Sequence, residues 1–288
     1  MKRVSIYYRL ILAFVIFLLL SFIIVGQGKT DFADKILTVT SFVFGIILAF
    51  SISNRYSRLS NIREKLREQD AKLLEIYYLS QGFNKQLKEK IKNLIDDFLI
   101  VQLDYKLKDY NTLVPEKTRS MFLYLEKLKL TKKEDEIRKD ILKILEEIIE
   151  INKAVVYKLE NKMAFYEWIV LCTLSVIIFF VLIYFFNTNT FITVFIISFL
   201  NTALCLLLFI LNDLDNLAWQ EQNWIWKPLT NLFIELDLVP YFPIDVLNYG
   251  RLSLKEIKKW DKVKKIRVAH YPLAYPDMTG KKVEIIKL

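Results

Sequence analysis

Phe42, Ile46 and Phe50 stand four residues apart in an uncharged stretch, so on a helix they stack along one face. Thr38, Ser41, Gly45, Ala49 and Ser53 run beside them as small or hydroxyl neighbours suited to close helix contact. Such a line packs against lipid or a bundle core, or it forms an apolar constriction that gates by dewetting when several copies surround an axis. Arg55, Tyr56, Arg58 and Arg63 follow at once. Arginines in that place either anchor the segment at headgroup level with their stems in apolar surroundings, or form a ring of charge that raises the local anion concentration.

Enzyme chemistry finds little to work with. His270 is the only histidine, which leaves no histidine metal cluster or catalytic triad. Cys172 and Cys205 lie inside apolar runs and outside any Cys-x-x-Cys spacing, so they read as small packing residues. No phosphate-binding loop, His-Glu-x-x-His, Gly-x-Ser-x-Gly or dinucleotide fingerprint occurs. Asp213, Asp215 and Glu221 follow the last apolar run. They are too few for a calcium ion, which takes about six to eight oxygens, and read as caps or local hydrogen-bonding groups. No catalytic residue, metal or cofactor is expected. Inside the apolar runs the polar residues are serines and threonines plus Asn201, and ionisable groups are absent, which disfavours a charge-coupled transporter.

These residues sit on four long apolar segments. Residues 10–28 and 36–54 are uncharged, and so is all of 168–212. A bilayer core of about 30 Å takes about 20 helical residues, so the last run reads as two spans joined at Asn187-Thr188-Asn189-Thr190. Lys2 and Arg3 before the first run also suit a secretory signal, but no small-residue cleavage site follows and a second span arrives immediately. A retained span is the better reading.

Of the Lys and Arg residues, three precede the first span, 24 lie between Arg55 and Lys162 and 12 follow the fourth span; only Lys29 and Lys35 fall elsewhere. The positive-inside rule then places both termini and the middle in the cytoplasm of an inner-membrane protein. The net charge of +9 belongs to that cytoplasmic side, where it suits anionic headgroups or a basic vestibule. Glu and Asp are interleaved throughout and no nucleic-acid motif accompanies the charge, so nucleic acid is not an expected partner.

The spacing predicts an all-α membrane protein of four transmembrane helices in two hairpins, with a helical cytoplasmic layer. Its expected divisions are 1–54 (spans one and two), 55–164 (cytoplasmic helices), 165–212 (spans three and four) and 213–288 (an aromatic and basic cytoplasmic region). Leu59, Ile62, Leu66, Leu73, Leu74 and Tyr77 continue span two as one helix over about 35–80. A second helix is expected over 84–108, a loop over 109–115 and a short helix over 116–130. Thr131-Lys-Lys-Glu134 is a capping box. From it an apolar stripe from Ile137 to Leu159 leads through Met163 into span three with no breaker. After span four, Trp219, Trp224, Trp226, Phe233, Tyr241 and Phe242 make a stretch too apolar for a free tail. Ser253 to Glu256 caps a short helix, and 263–268 with 282–287 suit a small β-hairpin.

The exit of span two, with Tyr56, Arg58 and Arg63 following Phe50 and Asn54, resembles the bestrophin signature at the cytoplasmic end of that family's second span. The chain is closer still to the bestrophin-like family of bacterial membrane proteins. It is similar in that aromatic-Tyr-Arg exit, in Asp70 with Leu73, Leu74, Ile76 and Tyr77, and in Leu214-Asp215 followed by Trp224 to Leu229. The likeness spans roughly residues 35–235. It implies a homopentamer with span two lining a central pore, and Phe42, Ile46 and Phe50 fall where the family's apolar neck sits. Two departures stand out. Leu217-Ala218-Trp219 replaces the Pro-Phe-Gly element expected after span four, and the dense acidic run that clasps calcium in animal bestrophins is missing.

The leading expectation is therefore an oligomeric ion channel, passing small anions, with its neck at Phe42, Ile46 and Phe50 and with Arg55, Tyr56, Arg58 and Arg63 as vestibule or anchor. Its partners are the bilayer, small inorganic ions and further copies of itself. The alternative is a non-conducting scaffold or sensor that binds partners through its cytoplasmic helices.

Overall fold

The computed structural model describes residues 6–105, 110–188, 190–217, 226–248, 252–260, 263–273 and 277–288, with backbone alone at 6 and 110–113. Its helices divide between two compact units, one of residues 1–59 and 162–218, the other of 60–161 and 219–288.

The first unit holds α1 (Ile6–Ile23), the opening part of α2 (Asp31–Ser80), α6 (Phe165–Phe185) and α7 (Phe191–Asp215). Three helical stretches, Asp31–Ser80, Lys132–Phe185 and Phe191–Asp215, are long and apolar enough to cross a membrane, and Tyr7–Ile23 is a shorter apolar helix. Ring contacts join α1 to its neighbours, Phe14 with Phe195 at 5.6 Å and Phe17 with Phe179 at 4.9 Å. The turn between α6 and α7 closes the far end. The Asn187 amide donates to the carbonyls of Ser21 (2.6 Å) and Ile24 (3.1 Å), groups that the end of α1 leaves without helical partners. Gly26 is required there, because a Cβ would lie 1.9 Å from the Asn187 carbonyl oxygen.

The second unit is built from the rest of α2 with α3 (Lys85–Asp104), α4 (Tyr110–Glu126) and α5 (Lys132–Glu160). The apolar stripes close on one another: Ile62, Leu73 and Ile76 of α2 and Ile141, Ile148 and Val155 of α5 are all buried. Between them runs a polar chain in which the Gln69 amide donates to Asn152 Oδ1 (2.9 Å) and the Asn152 amide to Thr118 Oγ1 (3.2 Å). Gly82 ends α2 against α5, where a Cβ would meet Ile137 Cδ1 at 2.5 Å. Thr131 and Glu134 make both hydrogen bonds of the capping box that starts α5.

Several boundaries differ from the sequence reading. The helix expected to run unbroken into span three is interrupted at 161–164, between α5 and α6. The loop expected over 109–115 is helical from Tyr110 and carries Pro115 within α4. Pro115 is the sixth residue of α4, past the first turn, so it removes the backbone bond to the carbonyl four residues back and its ring crowds that carbonyl. The helix then ends at Glu126 rather than Leu130. The last residues expected of α3, 106–108, lie outside the described residues, as do Trp219, Glu221 and Trp224.

After α8 (Trp226–Glu235) come β1 (Tyr241–Pro243), α9 (Ile244–Asn248), α10 (Leu254–Ile257), β2 (Lys265–His270) and β3 (Lys282–Lys287). The small β unit is a three-stranded sheet of order β1-β2-β3, in which β2 pairs parallel with β1 and antiparallel with β3. The aromatic stretch packs inward: Trp226, Phe233, Tyr241 and Phe242 are buried. Two carboxylates of α3 bind the sheet. Asp96 takes the Arg267 guanidinium with both oxygens at 2.6 Å. Asp104 accepts from Tyr241 Oη (2.5 Å), Tyr271 Oη (2.6 Å) and Lys281 Nζ (2.6 Å).

Candidate functional site

The apolar part of α2 touches its own unit through a narrow strip. Phe44 and Leu48 are buried in the apolar core with Phe17, Leu171, Ile178 and Leu182. Phe42, Ile46 and Phe50 are 69%, 42% and 67% exposed and line the outer face. In the most apolar window of α2 only 17% is buried, against 28% in each of the other two membrane-length stretches. Beside the strip lies an apolar crevice of about 590 Å³, with Ser41, Gly45 and Ala49 on one wall and Ile178, Leu182 and Leu204 on the other. A Cβ on Gly45 would meet nothing within 4 Å. A mid-helix glycine costs about 1 kcal/mol relative to alanine, and no contact with a described residue requires it.

The ends of these helices away from the Asn187 turn meet at Asp215. Its Oδ1 accepts from the Met163 backbone N–H at 2.8 Å and from Arg55 Nη1 at 3.4 Å. Arg58 Nη1 lies 3.8 Å from that oxygen and donates to the Asp215 backbone carbonyl at 2.9 Å. Arg58 is only 6% exposed, so a buried guanidinium caps the end of α7. One carboxylate thus joins the exit of α2, the break before α6 and the end of α7. The break at 161–164 frees the Met163 N–H that Asp215 accepts. Arg9 of α1 pairs with Asp213 at 3.6 Å. The chain leaves this node through Leu217 at φ +53°, a left-handed conformation that costs a leucine about 1–2 kcal/mol and is held by the burial of its side chain.

Of the residues singled out in the sequence, Phe42, Ile46 and Phe50 share the outer face, Tyr56 is exposed, Arg55 and Arg63 are half-buried and Arg58 is buried. Asp213 and Asp215 engage arginines. Among the described residues no group of three His, Cys, Asp or Glu stands where a metal ion would be held. Of the span hydroxyls, Ser175, Ser198 and Thr202 each donate to the carbonyl four residues back, which satisfies them within their own helix. The contacts of Asp215 with Met163 and Arg58 were missed in the sequence, because the partners lie 52 and 157 residues away and no local pattern links them.

Asp70, in the second unit, keeps part of its side chain at the surface while its Oδ1 is buried without a hydrogen-bond partner among the described residues. Burial pushes its carboxyl from 3.8 up to about 7, opposed by Arg67 one turn earlier. The folded state therefore holds this proton more tightly than the unfolded chain, so stability falls as pH rises from about 4 to about 7 and the cost is complete above that. Asp70→Asn is expected to stabilise the protein by about 1–3 kcal/mol at about pH 8 and to be neutral at about pH 4. Thermal melts at both pH values check this; equal effects at the two would contradict it.

Long apolar helices in one unit and an amphipathic helical unit joined to them define a helical membrane protein. The chain belongs to the bestrophin-like family: the family's bestrophin-like domain matches residues 7–216, which takes in α1 to α7 and the Asp215 node. No curated protein and no solved structure matches the chain. It is thus a membrane protein of the bestrophin type, a family that is typically channel-forming and non-enzymatic.

Proposed function

We propose that the protein is an oligomeric ion channel of the inner membrane, with four spans, both termini in the cytoplasm and a pore lined by α2 from each copy. Phe42, Ile46 and Phe50 form its apolar neck. The observation that carries this reading is the line of three large apolar side chains exposed on the least buried of the membrane-length helices. The open space at Gly45 supports close approach of a second copy, and the family supports a ring of about five. Small anions are the permeant class that the basic cytoplasmic side favours, with Arg55, Tyr56 and Arg63 at the inner mouth and Arg58 anchoring the helix exit through Asp215. The protein is not an enzyme on this reading.

Proteoliposomes holding the purified protein are expected to release chloride. Phe42→Ala with Phe50→Ala is expected to raise the flux several-fold, because a wider and less apolar neck wets more readily. Absence of flux from both proteins would contradict the reading.

A further inference from the structure

The helical unit carries a cleft of about 500 Å³ between α4 and α5 that conduction does not use. Pro115, Ile149 and Val156 give it apolar walls, and the buried Asn152, already bonded to Gln69 and Thr118, lies among them. Its rim carries Arg119, Lys153 and the exposed Tyr157, with Glu160 at one end. Arg119 and Lys153 are exposed, and neither makes an ion pair or side-chain hydrogen bond with a described residue. The cleft therefore offers two cations outside any ion pair beside apolar walls, with one carboxylate at its end, a pattern complementary to an anionic amphiphile rather than to a small hydrated ion.

Volume and chain connection narrow the ligand. A space of this size lies within the range of small-molecule sites, about 300–1,000 Å³. The α5 wall ends at Glu160, and only residues 161–164 separate it from Phe165, the first residue of the apolar α6. The five steps from Glu160 to Phe165 reach at most about 18 Å when extended. The source of amphiphile within such reach is the leaflet that α6 enters, whose anionic lipids attract lysine and arginine next to a span.

We propose that this cleft binds the headgroup of an anionic phospholipid, its phosphate held by Arg119 and Lys153 and its glycerol and first methylenes resting on Pro115, Ile149 and Val156. Tyr157 closes one side with its ring against the ligand's apolar part and its hydroxyl toward water. The site would make the helical unit responsive to leaflet composition, and it does not depend on whether the protein conducts.

The test is titration of the full-length protein in non-ionic detergent with dioctanoyl phosphatidylglycerol, dioctanoyl phosphatidylcholine or inorganic phosphate, reading bound lipid by native mass spectrometry and stability by thermal melting. The phosphatidylglycerol is expected to bind at least tenfold more tightly than either of the others. Arg119→Ala with Lys153→Ala is expected to weaken it at least tenfold while leaving the ligand-free melting temperature unchanged, since both side chains are exposed. Lys153→Glu, a single exposed change, is expected to weaken it likewise, and it answers the question should the double variant fold poorly. Unaltered phosphatidylglycerol binding in the variants, or equal binding of phosphatidylcholine, would overturn the proposal. Inorganic phosphate binding as tightly as the lipid would also overturn it, by making the cleft a free-anion site.

Discussion

Asp215→Ala is expected to destabilise the membrane unit by about 3–5 kcal/mol, the usual cost of removing one partner from a buried ion pair. The carboxylate is buried and serves the Met163 N–H, Arg55 and Arg58. Its loss takes the counter-charge from a guanidinium that is 6% exposed, which keeps its bond to the residue 215 carbonyl, and it strands a backbone donor that no helical carbonyl reaches. Replacing the pair with apolar residues, as Arg58→Met with Asp215→Leu, removes the stranded charge along with the carboxylate and should recover much of the loss. Asp213→Ala removes the longer contact with Arg9 at 3.6 Å and leaves Arg58 with Asp215 in place, so it should cost less. Thermal melts in detergent followed by size exclusion read all three. A melting temperature for Asp215→Ala equal to that of the unaltered protein would show that the node does not hold these helices.

The second large effect is expected at Asp104, whose side chain is 3% exposed and accepts from two tyrosines and a lysine. Asp104→Ala leaves two hydroxyls and an ammonium group without their acceptor, a loss of about 3–5 kcal/mol. Because those donors come from the C-terminal sheet and its loop, amide exchange across β2 and β3 is expected to quicken at least tenfold, while α6 and α7 are unaffected. Unchanged exchange in the sheet would contradict the anchoring role. The pH dependence carries the same signature. Burial, and then the Asp104 charge, push the hydroxyls of Tyr241 and Tyr271 above the usual tyrosine range. The folded state keeps these protons after the unfolded chain has lost them. Stability is therefore intact below about pH 10 and falls above it, by about 1.4 kcal/mol per pH unit for each tyrosine.

What was legible in the sequence is what local pattern controls. Long uncharged runs gave the membrane-length helices, and the apolar spacing from Leu59 to Tyr77 gave the continuation of α2 to Ser80. Both capping boxes, at Thr131 and Ser253, form with the hydrogen bonds that their side chains imply. The break at 161–164 was not legible, because Asn161-Lys-Met-Ala contains neither glycine nor proline and the interruption is fixed by a carboxylate far along the chain. The third strand was hidden for a similar reason. Tyr241–Pro243 is three residues long, and only its parallel partner at Arg267 to Ala269 makes it a strand. Pro115 misled in the opposite sense: it looked like a loop signal but lies inside α4, where packing overrides the loss of one backbone hydrogen bond. In the candidate site, the spacing of Phe42, Ile46 and Phe50 was readable from period alone, whereas the Arg58–Asp215 pairing needed the fold.

The central claim is that several copies close around α2, and the mass of the purified complex tests it most directly. Native mass spectrometry of the protein released from detergent is predicted to give about five times the chain mass of 34.3 kDa. A monomer or dimer as the largest species would leave Phe42, Ile46 and Phe50 facing lipid and would contradict the account.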